Sequence, residues 1–88
     1  MIEVNIKIVN NAGLHTRPAA TIVKLASKYK SDFFISKDGL RINGKSIIGV
    51  MTMAAEKDSD LCLEFDGLDE NEMKEEICGY FERGFDEL

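Results

Sequence analysis

Ile2, Val4, Ile6 and Ile8 alternate with Glu3, Asn5 and Lys7. Period-2 spacing sends one set of side chains to a core and the other to water, so it predicts a half-covered strand. The alternation stops at Asn10-Asn11-Ala12-Gly13, a turn-prone cluster. From Pro18 the period becomes helical: Ala19, Ile22, Val23 and Ala26 share a stripe, with Thr21, Lys24, Ser27 and Lys28 on other faces. Pro18 fits only the first turn, where no backbone N–H is required of it. Phe33-Phe34-Ile35 is a strand-forming run that leads into Lys37-Asp38-Gly39-Leu40, after which Leu40 and Ile42 alternate with Arg41 and Asn43. Asp-Gly between two such runs predicts a hairpin. Ser46 is positioned to cap a short apolar helix through Ile47, Ile48, Val50, Met51 and Met53. Leu61, Leu63 and Phe65 alternate with Cys62, Glu64 and Asp66 as another strand. Asp69 followed by Glu72 resembles a capping box, opening a last helix with Met73, Ile77, Tyr80 and Phe81 as its buried stripe. The acidic tail from Glu82 to Leu88 reads as a solvated helix end.

The predicted order is β-α-β-β-α-β-α. It implies an α+β open-faced sandwich, with a four-stranded, mostly antiparallel sheet and three helices on one face. With 88 residues, the chain is expected to form a single domain over 1–88, with no linker or repeat. A hydrophobic fraction of 44% with one Pro excludes a disordered or low-complexity chain. The net charge of -5 argues against nucleic acid, because phosphate-backbone binding needs a basic face. No stretch approaches the roughly 18–20 apolar residues of a membrane span, and Met-Ile-Glu-Val-Asn lacks a cationic signal region, so no membrane insertion is expected. The two cysteines, Cys62 and Cys78, form no C-x-x-C pair, and His15 is the only imidazole. A structural zinc site needs about four ligands, so no metal and no cofactor are expected. Reduced thiols and a cytoplasmic setting follow as the expectation.

Gly13-Leu14-His15-Thr16-Arg17-Pro18-Ala19-Ala20 is the stretch that carries candidate chemistry. His15 falls at the entry to the first helix, where the N–H groups of Thr16 and Arg17 have no helical acceptor and are free to bind an anion. The positive end of the helix and the nearby Arg17 disfavour imidazolium, so the ring is expected to be neutral near pH 7, with a lone pair free for attack. Arg17 offers a planar fork of donors suited to phosphoryl oxygens. A phosphoryl acceptor is physically sensible there, but a lone His at a helix start also serves as an ordinary surface cap. Position and composition leave both open.

The same stretch closely resembles the active-site signature of the histidine-containing phosphocarrier (HPr) family of the bacterial phosphoenolpyruvate:sugar phosphotransferase system. Asn43-Gly44-Lys45-Ser46-Ile47-Ile48-Gly49-Val50-Met51 resembles that family's regulatory-serine segment at the expected separation. The order of elements and total length agree, so the resemblance covers essentially the whole chain. It implies that His15 takes a phosphoryl group at Nδ1 from enzyme I and passes it to an enzyme IIA, acting as a stoichiometric carrier and not as an enzyme. Arg17 would stabilise the group, and the Thr16 backbone N–H would help hold it. Leu14, Thr16, Lys24, Lys45, Ile47, Ile48 and Met51 would form the partner-binding surface, and a monomer is expected.

Ser46 needs no purpose beyond capping. The resemblance adds possible phosphorylation by a dedicated kinase/phosphorylase and a link to a transcriptional regulator. A purely regulatory relative acting through Ser46, with His15 idle, is the alternative function. An acyl carrier would need an Asp-Ser-Leu motif and an all-helical chain, which Lys45-Ser46-Ile47 and four strand patterns oppose. The chain departs from the family at Ala54-Ala55-Glu56-Lys57-Asp58-Ser59-Asp60, where many members have glycines. Ala, Glu and Lys are good helix formers, so the short helix is expected to run about a turn further.

Overall fold

The computed structural model describes residues 1–87, in the order β1 (Ile2–Lys7), α1 (Thr16–Ala26), β2 (Asp32–Lys37), β3 (Leu40–Asn43), α2 (Ile47–Thr52), β4 (Asp60–Asp66), α3 (Glu70–Glu82) and a terminal turn (Gly84–Asp86). The four strands form one sheet in the order β1-β4-β2-β3, and every pairing is antiparallel. Register follows the period-2 pattern. Val4 faces Leu63 and Ile6 faces Leu61, while on the other side of β4 Phe33 faces Phe65 and Ile35 faces Leu63. These alternate residues share one sheet face, and Phe33 and Phe65 stack with ring centroids 5.0 Å apart. The helices cover that face with Ala19, Ile22, Val50, Met73, Ile77 and Phe81, all buried. Among the described residues no helix is long and apolar enough to cross a membrane.

The opposite face is wet and polar. There Glu3 sits across from Glu64, a like-charge pair that would be unfavourable alone. Arg41 offsets it with a two-pronged contact to Glu64 at 2.8 and 3.1 Å, while its guanidinium lies 3.8 Å over the Phe34 ring.

The hairpin forms as expected, with Asp38 at φ 50° and Gly39 at φ 85°, the left-handed pair that a two-residue turn requires. Ser46 caps α2 by accepting from the Gly49 N–H at 3.1 Å. Three local expectations are corrected. Asp69 stands at the start of α3 but does not cap it. Its carboxylate accepts instead from the backbone N–H of Lys30 and Ser31 and from the Ser31 hydroxyl, tying α3 to the exit of α1. Those bonds, the Ser31 hydroxyl foremost, draw the Asp69 carboxyl down to about 2.

The second correction concerns α2, which does not run a turn further. It ends at Thr52, and Ala54 turns left-handed at φ 49°. Helix propensity loses because Ala55 is buried and its carbonyl accepts from the Leu14 N–H at 2.8 Å. The third correction concerns the tail, which is not a solvated helix end; Leu88 lies outside the described residues. After α3 the chain makes a tight turn in which Gly84, Phe85 and Asp86 have φ of 63°, 59° and 60°. Such a conformation costs about 1–2 kcal/mol for each non-glycine residue. Burial of Phe85 against Tyr80 and Phe81, with ring centroids at 5.2 and 5.0 Å, offsets that cost.

Candidate functional site

The loop between β1 and α1 is built to hold one side chain at a helix entry. Asn10 is buried and its Nδ2 donates to the Gly13 carbonyl at 2.9 Å, closing the loop on itself. Gly13 has φ 72°, and a Cβ there would lie 2.5 Å from the Ala55 carbonyl oxygen, so only glycine lets the two segments meet. The Leu14–Ala55 bond then fixes His15 between this loop and the segment after α2.

His15 is the N-cap of α1, in an extended conformation, and its carbonyl accepts from the Ala19 N–H at 3.0 Å. Its side chain is 40% exposed. Pro18 falls in the first turn and brings no N–H of its own. The amides of Thr16 and Arg17 find no backbone acceptor among the described residues. The Arg17 guanidinium is exposed and has no ion pair among them. An exposed imidazole and two amides without a backbone acceptor among the described residues thus stand at one helix start, with the exposed Arg17 side chain two residues along. That donor set suits an oxyanion carrying two or more negative charges.

A groove of about 310 Å³ runs from His15 and Thr16 to Met51 at the end of α2, floored by Leu14 and Ala55. Ile48 and Met51 are 77% and 45% exposed, and Ile47 is exposed beside them. Val50 and Met53 are buried on the opposite side of the helix. Lys24 is exposed on α1. Leu14 departs from the expected partner-binding set: only 4% exposed, it belongs to the core, because the turn at Gly13 points it under the loop. Lys45 is half-buried and its Nζ donates to the Tyr29 carbonyl at 2.8 Å, so it ties α2 to the end of α1 before serving any rim. With Lys45 beside the end of α1 and Met51 beside its start, the two helices run in opposite directions. Ser46 therefore lies a helix length, about 9 Å, from the His15 end.

One neighbour of His15 was not visible in the pattern. Glu87, from the tail, brings its carboxylate to His15 Nε2 at 2.9 and 3.2 Å. Asn10 Nδ2 also donates to Glu87 Oε1 at 2.9 Å. The contact spans 72 positions, and the only local hint is an aromatic residue, Phe85, inside a mostly charged tail.

Away from this end, Glu3, Cys62 and Glu64 bring ligand atoms within 4.8 Å of one another on the open sheet face. Arg41 already occupies the Glu64 carboxylate there, and burial together with Glu3 pushes the Cys62 thiol up, away from the thiolate a metal would take. Cys78 is a buried thiol raised to about 11 by burial.

Residues 2–83 match the family model described as the PTS HPr component phosphorylation site. A phosphocarrier protein HPr of Neisseria meningitidis is 41% identical over 88 residues, covering 96% of this chain and 99% of that protein. An HPr-like protein Crh of Halalkalibacterium halodurans is 37% identical, covering 94% and 99%. The crystal structure of an HPr from Thermoanaerobacter tengcongensis superposes with a TM-score of 0.95 at 39% identity, covering 100% of this chain and 99% of the other.

Proposed function

The chain belongs to the HPr family of phosphotransferase-system phosphocarriers, and from that membership we propose that His15 takes a phosphoryl group at Nδ1 from the phosphohistidine of enzyme I and passes it to a histidine of an enzyme IIA. The observation that carries this is the exposed His15 imidazole at the N-terminus of α1, next to the Thr16 and Arg17 amides, which find no backbone acceptor among the described residues, with the exposed Arg17 side chain two residues along the chain. The Nδ1–phosphorus bond forms as the donor's nitrogen–phosphorus bond breaks, and the second transfer reverses this. In-line transfer of this kind needs positioning and charge stabilisation more than covalent help. The two amides and Arg17 supply hydrogen bonds to a charged group, each worth about 1.5–3 kcal/mol. Few such bonds suit a relay, since every ~1.4 kcal/mol of extra stabilisation costs a factor of ten in passing the group on.

The carrier acts stoichiometrically as one domain over residues 1–88, as a monomer in the cytoplasm. Thr16, Ile47, Ile48 and Met51 contact its partners, with Lys24 on the rim. An apolar patch ringed by charge suits transient recognition. A second reading has one supporting observation: HPr-like Crh proteins are also close relatives. In it Ser46 is phosphorylated by a kinase/phosphorylase and the modified chain binds a transcriptional regulator. A phosphate on Ser46 would add about -2 charge at the far end of the patch and weaken enzyme I docking without touching His15. Retention of His15 with Arg17 favours the relay.

Incubation with enzyme I and phosphoenolpyruvate tests the relay. The expected result is one added phosphoryl group on the intact protein, lost in acid, absent from His15→Ala, and added more slowly to Arg17→Lys. Full labelling of His15→Ala overturns the assignment.

A further inference from the structure

Glu87 and Asn10 neither carry nor hold the phosphoryl group in the relay, yet Glu87 is bound to His15 and Asn10 to Glu87. Asn10 is 1% exposed, and its Nδ2 donates to the Gly13 carbonyl and to Glu87 Oε1, both at 2.9 Å. Its Oδ1 is buried without a partner, so the residue is held there for its two N–H bonds. The Glu87 side chain is 19% exposed, pinned by Asn10 on one oxygen and by His15 on both. The turn that delivers it holds two non-glycine residues, Phe85 and Asp86, in the left-handed region, and Arg83 Nε donates to Asp86 Oδ1 at 2.7 Å across it. A terminal segment kept in a disfavoured conformation against the reactive histidine is a built feature.

A carboxylate oxygen only accepts, so the 2.9 Å contact requires the ring proton to sit on Nε2. In neutral imidazole that leaves the lone pair on Nδ1. We propose that Glu87 is a positioning residue for the phosphoryl relay: its carboxylate, anchored by Asn10, holds the His15 Nε2–H and keeps Nδ1 as the free nucleophile. This rests on the relay proposed above.

The steps balance without an extra base. The Nδ1 lone pair forms the bond to phosphorus, the donor's nitrogen–phosphorus bond breaks, and its electron pair returns to the donor imidazole. No proton leaves Nδ1, because none is there. The phosphorylated ring, with Nε2–H retained, carries positive charge facing the Glu87 carboxylate. On transfer onward the bond pair returns to Nδ1, and the ring leaves as neutral imidazole with the same Nε2–H. The bond to Glu87 thus persists through the cycle.

Two readouts test the role: the ring tautomer, from ¹⁵N shifts of histidine-labelled protein, and the rate of phosphoryl acceptance from phosphorylated enzyme I. In the unsubstituted protein the neutral ring is expected as the Nε2–H form. Glu87→Ala should lower that population and slow acceptance about threefold to tenfold, the value of one hydrogen bond. Glu87→Gln, whose amide oxygen still accepts from Nε2–H, should recover most of both. A dominant Nδ1–H form, a change in only one readout for Glu87→Ala, no change in either, or Glu87→Gln behaving like Glu87→Ala each overturns the proposal. Failure of the unsubstituted protein to accept any phosphoryl group would instead sink the relay, while the tautomer measurement would still judge Glu87.

Discussion

Ala54 leaves α2 at φ 49° while its own side chain is exposed, so its methyl group adds strain and lies outside the buried core. Glycine adopts this conformation freely. Ala54→Gly should therefore stabilise the fold by about 1 kcal/mol, a rise of roughly 4–8 °C in melting temperature for a domain this size. A scanning calorimetry trace with an unchanged or lower midpoint contradicts this account of the segment. The composition of 54–57 pointed toward more helix, because propensity is local. The bond that decides otherwise, Leu14 to Ala55, spans 41 positions and leaves no periodic trace. Leu14 is hidden in the core for a related reason: the left-handed Gly13 redirects it inward, and alternation says nothing about a turn. The place of His15, Thr16 and Arg17 at the start of α1 was legible because a helix start is punctuated by nearby residues, here Gly13 and Pro18.

At the scale of elements, sheet and helix stripes followed directly from period-2 and helical spacing, and the Asp38-Gly39 hairpin from the conformational needs of its turn. What escaped was the use of polar residues across elements. Asp69 has the sequence look of a cap for α3, yet its carboxylate clamps the Lys30–Ser31 segment after α1. The carboxyl is drawn down to about 2, below an ordinary carboxylate near 4, because the folded state hydrogen-bonds its ionised form. Its contribution is fully present above about pH 4 and fades as pH falls toward 2. Asp69→Asn, which cannot titrate, should lose less stability than the unsubstituted protein on acidification from pH 5 to pH 2. Melting curves across that range check this, and equal slopes for the two proteins contradict it. The tail belongs to the same class. Charge composition suggested solvation, whereas one aromatic residue, Phe85, docks the turn and carries Glu87 to His15.

Across the whole molecule, the His15 imidazole and the exposed apolar residues of α2 lie along one surface formed by α1 and α2. Ile48, 77% exposed, makes no core contribution. Ile48→Glu should leave stability within about 0.5 kcal/mol and weaken enzyme I binding by about tenfold, the effect of one peripheral contact residue. Titration calorimetry with enzyme I checks it, and unchanged affinity removes α2 from the docking surface. The net charge of -5 is compatible with this surface, since local sign governs how partners are steered.

In the proposed relay a single ring nitrogen, Nδ1 of His15, carries the phosphoryl group. Phosphorus–nitrogen correlated NMR on protein phosphorylated by enzyme I and phosphoenolpyruvate reads that nitrogen directly. Phosphorus coupled to Nδ1 of His15, with a proton still on Nε2, is the expected result. Phosphorus on Nε2, on Ser46, or on no residue of the chain contradicts it.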